Sequence, residues 1–345
     1  MTPIWRCLVT NYMRSSNSLS GMVPPRPLRW LAAGLVLVLA LLMLGLRVGS
    51  YTTSYGFILN TFRHYNPADP AQLALVELRL PRLLLALLAG ASLAVSGYLL
   101  QTLVTNPLAD PYLLGTASGA SLGAIAAYVL VPSLTLAGVY LPPVAALAGA
   151  FGATVLVVAL GTRQGKILPA PLLLAGVAVG ALAAAVGSLL TFLASPEGSL
   201  RSVVFWAFGS FERAGWSVLP YPAAVLGISL VVLAFLQKDL NLLLLGEERA
   251  AALGLPVAAR RWLLVGLAAA LTGGVVALCG PVGFVGLLGT TGRYNLLGCA
   301  VLGGAFLLAC DLLARLLYPP AGLPVGLVTA LFGVPFFVYL LRKTT

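Results

Sequence analysis

Charge is what this sequence has least of. Only 8% of the 345 residues are Asp, Glu, Lys or Arg, against about a quarter in an ordinary soluble domain. A soluble chain of this length could bury a large core, but it would still need a polar shell. With 60% hydrophobic residues and a mean hydropathy of +1.02, a bilayer is the solvent that tolerates this surface. Histidine is nearly absent: His64 stands alone in a loop and reads as solvated. The four cysteines, Cys7, Cys279, Cys299 and Cys310, form no C-x-x-C pair, and the last three lie in apolar runs as small packing residues. No metal site or cofactor is expected. There is no G-x-x-x-x-G-K-[ST] loop, so any ATP hydrolysis belongs to another subunit. Without a Ser/His/Asp set or a Cys/His pair, the chain is expected not to be an enzyme. Short alternating segments are missing too, which argues against a membrane barrel.

What is present is a series of long apolar runs. Helices are expected near 30–48, 83–104, 113–131, 142–161, 168–194, 219–236, 262–279, 296–314 and 325–341, with a weak, short segment near 281–292. The fold class is therefore all-α: a polytopic membrane protein of about ten transmembrane helices, the eighth short or broken. Residues 1–29 form a basic N-terminal tail, and 30–343 the transmembrane domain. The piece 202–211, with Trp206, reads as amphipathic and interfacial. The net charge of +11 does not form a stripe of the nucleic-acid-binding kind, so no nucleic acid partner is expected. The basic residues instead sit between the runs. With ten crossings and an inside N-terminus, 13 of them fall inside and 7 outside, which favours both termini in the cytoplasm.

Several segments occur in an order that resembles the permease family of ABC importers for iron–siderophores, haem and cobalamin. They are Arg79-Leu-Pro-Arg82, Gly90-Ala-Ser92, Gln101, Asn106-Pro-Leu-Ala-Asp-Pro111, Leu114-Gly115, Ser118-Gly-Ala-Ser-Leu-Gly123, Gly209-Ser210, Leu245-Gly-Glu-Glu248, Gly283-Phe-Val-Gly286, Asp311-Leu-Leu-Ala-Arg315 and Leu323-Pro-Val-Gly326. The resemblance covers about residues 60–343. It implies a type II ABC importer permease fold, a homodimer, two ATP-binding subunits on the cytoplasmic face and an extracytoplasmic substrate-binding protein. The implied location is a bacterial-type inner membrane, and the implied cargo a metal chelate, iron–siderophore first, then haem or cobalamin.

The residues can be weighed against those roles. Arg79, Arg82 and Arg315 are expected at the outer face, where guanidinium groups could receive carboxylates of a binding protein; the plainer reading is helix-end anchoring. The coupling loop 242–261 contains a short helix, Gly246-Glu247-Glu248 to Ala250, Ala251, Leu253 and Gly254. By resemblance it fits a groove on the ATPase. Asn106, Pro107, Asp110, Pro111 and Gly115 interrupt helix and read as a structural turn near the pathway.

Two departures from the family pattern stand out. After Gly286 the usual Pro-His-bearing continuation is missing, and the pattern resumes around Arg293-Tyr294. Only 31 uncharged residues separate Arg261 from Arg293, about 46 Å as helix, where two crossings need about 60 Å. Gly322 also replaces a usual Glu. Two alternatives therefore stay open: an ion-coupled secondary carrier, and a degenerate permease that no longer transports.

Overall fold

The computed structural model describes residues 27–49, 52–104, 106, 109–131, 135–136, 139–163, 166–167, 169–193, 208–286, 296–319 and 322–344. The α-helices are α1 (Pro27–Arg47), α2 (Tyr55–Arg63), α3 (Leu80–Val104), α4 (Thr116–Leu130), α5 (Leu141–Gly161), α6 (Pro169–Leu193), α7 (Pro220–Phe235), α8 (Gln237–Leu243), α9 (Glu247–Ala252), α10 (Val257–Cys279), α11 (Leu296–Leu317) and α12 (Val325–Thr344). A stub, Pro70–Leu73, and a π-helical turn, Ala74–Arg79, lead into α3. Two antiparallel pairs of two-residue strands close the ends of α4–α5 and α5–α6. Among the described residues, six helices are long and apolar enough to span a bilayer. α7 and α8, bent by 73° at Leu236, make a seventh if taken together.

The centre of the bundle is α3. Its spanning stretch is the most buried of the six. Small residues set its packing. A Cβ placed on Gly90 would lie 2.1 Å from the Gly303 carbonyl oxygen of α11, and one on Gly303 would lie 2.3 Å from that of Gly90. Backbones therefore touch here, which only glycine allows.

Helix directions follow from such contacts. Arg82 pairs with Asp311 and Gly90 faces Gly303, so α11 runs antiparallel to α3. Leu264 and Val265 share a core with Leu99 and Leu103, whereas Val275 and Cys279 share one with Leu85 and Leu93. Thus α10 is antiparallel to α3 as well. Consecutive helices α10 and α11 point the same way, and the chain between them must travel back along the bundle.

Gly280–Gly286 makes that return without an α-helix. Residues 281–283 have no regular secondary structure, Phe284 has a left-handed φ of 68°, and 285–286 are 3₁₀-helical. An extended chain advances about 3.3 Å per residue and a helix about 1.5 Å. Unwinding therefore answers the length deficit: seven residues cover up to roughly 20 Å. By Gly286 the chain has reached the far part of α3, where Gln101 Nε2 donates to the Gly286 carbonyl at 3.1 Å. The expected broken eighth crossing takes this form in its described half. Residues 287–295, which include Arg293 and Tyr294, lie outside the described residues, as do Trp206 and the basic tail 1–26.

The ends of the bundle can now be distinguished. Leu46, at the end of α1, accepts from Arg79. Gly326, at the start of α12, packs on Phe208 and Pro281, while Phe337 reaches the cavity beside Leu100 and Asp110. The outer turns of α1 and α12 therefore point to the Gln101 end, together with α8 and α9. Gly322 sits at φ +74° just beyond α11 and donates to Tyr318 O at 2.6 Å. A left-handed residue suits that turn, which accounts for glycine where a glutamate was expected.

Candidate functional site

Three constellations draw on the residues singled out in the sequence. The first lies at the Arg82 end. The structure brings Arg82 and Arg315 onto Asp311, a carboxylate with no exposed side-chain surface, with Arg79 near Arg315. Arg82 Nε donates to Asp311 Oδ1 at 2.9 Å. Arg315 Nη2 lies 2.9 Å from Asp311 Oδ2, in an ion pair whose angle falls outside hydrogen-bonding geometry. Arg315 Nη1 donates to the carbonyls of Gly45 and Val48 at 3.1 and 3.0 Å, and Arg79 Nη1 to Leu46 O at 3.0 Å. The three guanidinium groups are thus turned inward and tie α1 to α3 and α11. Arg79 is 7% exposed, and the Arg82 side chain keeps 17%. Asp311, with Asp110 a candidate intramembrane carboxylate from the sequence, is here the partner of two arginines. The signal was there, since Asp311 and Arg315 stand at i and i+4 on one helix face.

The second constellation is the turn around α9. α7, α8 and α9 form an elbow that packs Leu240, Leu243, Ala250 and Leu255 into the core. Gly246, at φ 96°, opens the short helix at Glu247, and Gly254, at φ 87°, closes it. Ala250 is fully buried, so it cannot supply the partner contact expected of it; the face that roots the helix in the core takes it up. Glu248, Ala251 and Gly254 are exposed. Leu253 and Leu245 are 62% and 51% exposed. Behind the turn, Arg260 Nε lies 2.7 Å from Asp239 Oδ2 and braces α10 on α8. The result is a rigid elbow with an apolar tip.

The third is the break after α3. Asn106 N donates to Gln101 O, and Ala109 N to Asn106 O. Asp110 Oδ1 accepts the Tyr112 N–H at 2.9 Å and so caps the 3₁₀ helix Pro111–Leu114. Gly115, at φ 70°, turns the chain into α4. Pro107 lies outside the described residues. A cavity of about 290 Å³ opens here, walled by Leu100, Asn106, Asp110, Leu114, Leu172 and Phe337. Burial pushes the Asp110 carboxyl up to about 6, against the opposing pull of the Tyr112 N–H. Gln101, Asp110 and Gly286 meet at this break: a Cβ on Gly286 would lie 2.8 Å from Asp110 Oδ2.

Comparison with known proteins places this bundle in a family. The FecCD transport family matches residues 37–343. The chain belongs to the FecCD transport family. Its relatives include the hemin transport system permease HmuU of Yersinia pestis, 38% identical over 94% of this chain and 98% of that one. The Fe(3+) dicitrate permease FecD of Escherichia coli is 41% identical over 78% of this chain and 85% of its own. The cobalamin permease BtuC of Halobacterium salinarum is 40% identical over 79% and 74%. Among solved structures, an inward-facing metal-chelate type ABC transporter superposes with a TM-score of 0.76 at 32% identity, covering 91% of this chain and 98% of that one. Family membership thus extends across the three constellations and the shortened return.

Proposed function

We propose that the chain is the permease subunit of an ATP-driven importer that moves a metal chelate across a bacterial-type cytoplasmic membrane. The observation that carries this reading is likeness over 98%, 85% and 74% of the length of permeases named for hemin, ferric dicitrate and cobalamin import, respectively. Iron–siderophore is the leading cargo, with haem and cobalamin next. Ten crossings fit the helix directions: nine helical runs and the unwound return. With that count, the Arg82 end faces outward and the Gln101 end, with α9 and both terminal helices' outer turns, faces the cytoplasm.

In this reading α9 is the coupling helix. Leu245, Ala251 and Leu253 offer an apolar contact, the kind of surface that marks a partner site when exposed, and the Arg260–Asp239 brace keeps the elbow stiff. Two ATP-binding subunits would bear on two such elbows in a homodimer. Docking of an extracytoplasmic binding protein narrows to Arg82, the knot residue with exposed side-chain surface, while Arg79 and Arg315 serve as braces. The secondary-carrier alternative is the weaker one, since the solved relatives include a metal-chelate type ABC transporter, and the buried carboxylate Asp311 is already neutralised by two arginines. The test is uptake of radiolabelled ferric siderophore, haem and cobalamin in cells supplied with the cognate ATPase and binding protein. Accumulation of one cargo that stops on ATP depletion is expected. Uptake that survives ATP depletion but collapses with the ion gradient would overturn the reading.

A further inference from the structure

The unpartnered polar atoms at the end of α3 belong to no role assigned above. Gln101 is 93% buried, and its Nε2 donates to Ala109 O and Gly286 O, yet its Oε1 has no hydrogen-bond partner. Asp110 Oδ1 takes the Tyr112 N–H, yet its buried Oδ2 has none either. Both side chains bear on Gly286. Besides the Gln101 amide N–H groups, given to Ala109 O and Gly286 O, and Asn106 on the cavity wall, the polar atoms gathered here are acceptors: the Gln101 amide oxygen, a carboxylate oxygen and those two carbonyls. Acceptors left together in a buried site lack a donor, and each unmet group is costly.

We propose that Asp110 is a proton-binding site, carrying a proton on Oδ2 that supplies the missing donor to the acceptors around Gln101 and Gly286. The proton adds an O–H and removes the buried charge, and no other group need change. This inference is independent of the importer reading. The groups that face Asp110 are few. Tyr112 is on its own turn, Asn106 and Ala109 lie in the break before it, Gln101 and Leu100 come from α3, Leu172 and Leu173 from α6, Gly286 from the return and Phe337 from α12. Tyr112 alone of these titrates. Its hydroxyl oxygen accepts the Val282 N–H at 2.5 Å, so it holds the return strand at one point while Gln101 holds it at Gly286. Loss of the proton sets a carboxylate charge against two carbonyl oxygens and loosens the strand between those holds.

Burial acts in the same direction, with the carboxyl pushed up to about 6. An unfolded aspartate titrates near about 3.9, so between those values the folded chain binds more protons. Its stability is then fully present below about pH 4, declines as pH rises through about 6, and is level above.

Infrared difference spectroscopy on the full chain in lipid nanodiscs tests this. A carboxylic-acid C=O band that fades with a midpoint near pH 6, and is missing in Asp110→Asn, is expected. Thermal midpoints should fall from pH 5 to pH 7 in the natural chain more than in Asp110→Asn. Should that variant fail to fold, Asp110→Glu should move the band's frequency. No band at pH 5, or a band that either substitution leaves unchanged, would overturn the proposal.

Discussion

The two ends of this bundle use charge in opposite ways. At the Arg82 end, Arg79 and Asp311 are buried, Arg82 and Arg315 are largely so, and all four are committed to each other or to main-chain carbonyls. At the elbow, the ion pair Arg260–Asp239 is partly exposed, and Leu245 and Leu253 are exposed beside Glu248 and Arg249. A buried charged group is useful only when fully paired, so the knot speaks for internal architecture. An exposed apolar tip on a rigid support has no internal use, so the elbow speaks for a partner. Arginines at a helix end are therefore not by themselves evidence of docking. Where their nitrogens go decides it.

The hardest blow to this contrast is Asp311→Asn. It leaves Arg82 and Arg315 facing an uncharged partner in a buried site, and breaking such a pair costs about 3–5 kcal/mol. Little folded protein should be recovered, read as monodisperse material after detergent extraction. Normal yield and thermal midpoint would mean that the knot is dispensable and the arginines free for another role. Next comes Gly97→Ala. Its Cβ would fall 2.1 Å from the Gly286 carbonyl oxygen, and backbone cannot yield as a side-chain tip can. Overpacking of this sort costs about 1–3 kcal/mol. Hydrogen exchange should rise at residues 280–286, while the arginine knot stays protected.

How much of this was legible in the sequence depends on the kind of signal. Helix positions were, because apolar runs of about twenty residues have few other readings: 142–161 is observed as Leu141–Gly161 and 262–279 lies within Val257–Cys279. The short helix after Gly246 was also legible, bounded by two glycines. The direction in which side chains turn was not. Ala250 and Ala251 are adjacent and alike, yet one is buried and the other exposed, because the elbow's orientation is set by α8 and α10. Nor could spacing say that Arg82 meets Asp311, 229 residues away, since that contact exists only once α3 and α11 lie antiparallel. The return was half legible. Counting residues showed that two helical crossings could not fit, but only the coordinates show that the described half solves this by unwinding.

A smaller effect is expected from Arg260→Ala at the elbow. The pair it removes is about one-third exposed on the arginine side, and such pairs contribute about 0–1 kcal/mol. The thermal midpoint should barely move, whereas ATPase activity of the assembled complex should drop several-fold if the brace transmits force from α8 to α10. Unchanged coupling would confine the brace to packing.

The smallest change to the fold and the sharpest test of the contrast is Leu253→Asp. The residue is 62% exposed and lies outside the core clusters, so stability should stay within about 0.5 kcal/mol of the natural chain. A charge in the centre of an apolar contact, by contrast, removes affinity, because the partner's matching surface must be desolvated against it. Co-purification with the ATP-binding subunit should fall at least tenfold while the thermal midpoint of the isolated chain is preserved. If Leu253→Asp unfolds the chain, the tip is part of the core and the elbow is no different in kind from the knot. If it leaves both stability and ATPase binding intact, the partner bears on a surface other than this tip. Loss of binding alone is the outcome that separates a surface built for a partner from one built for the fold.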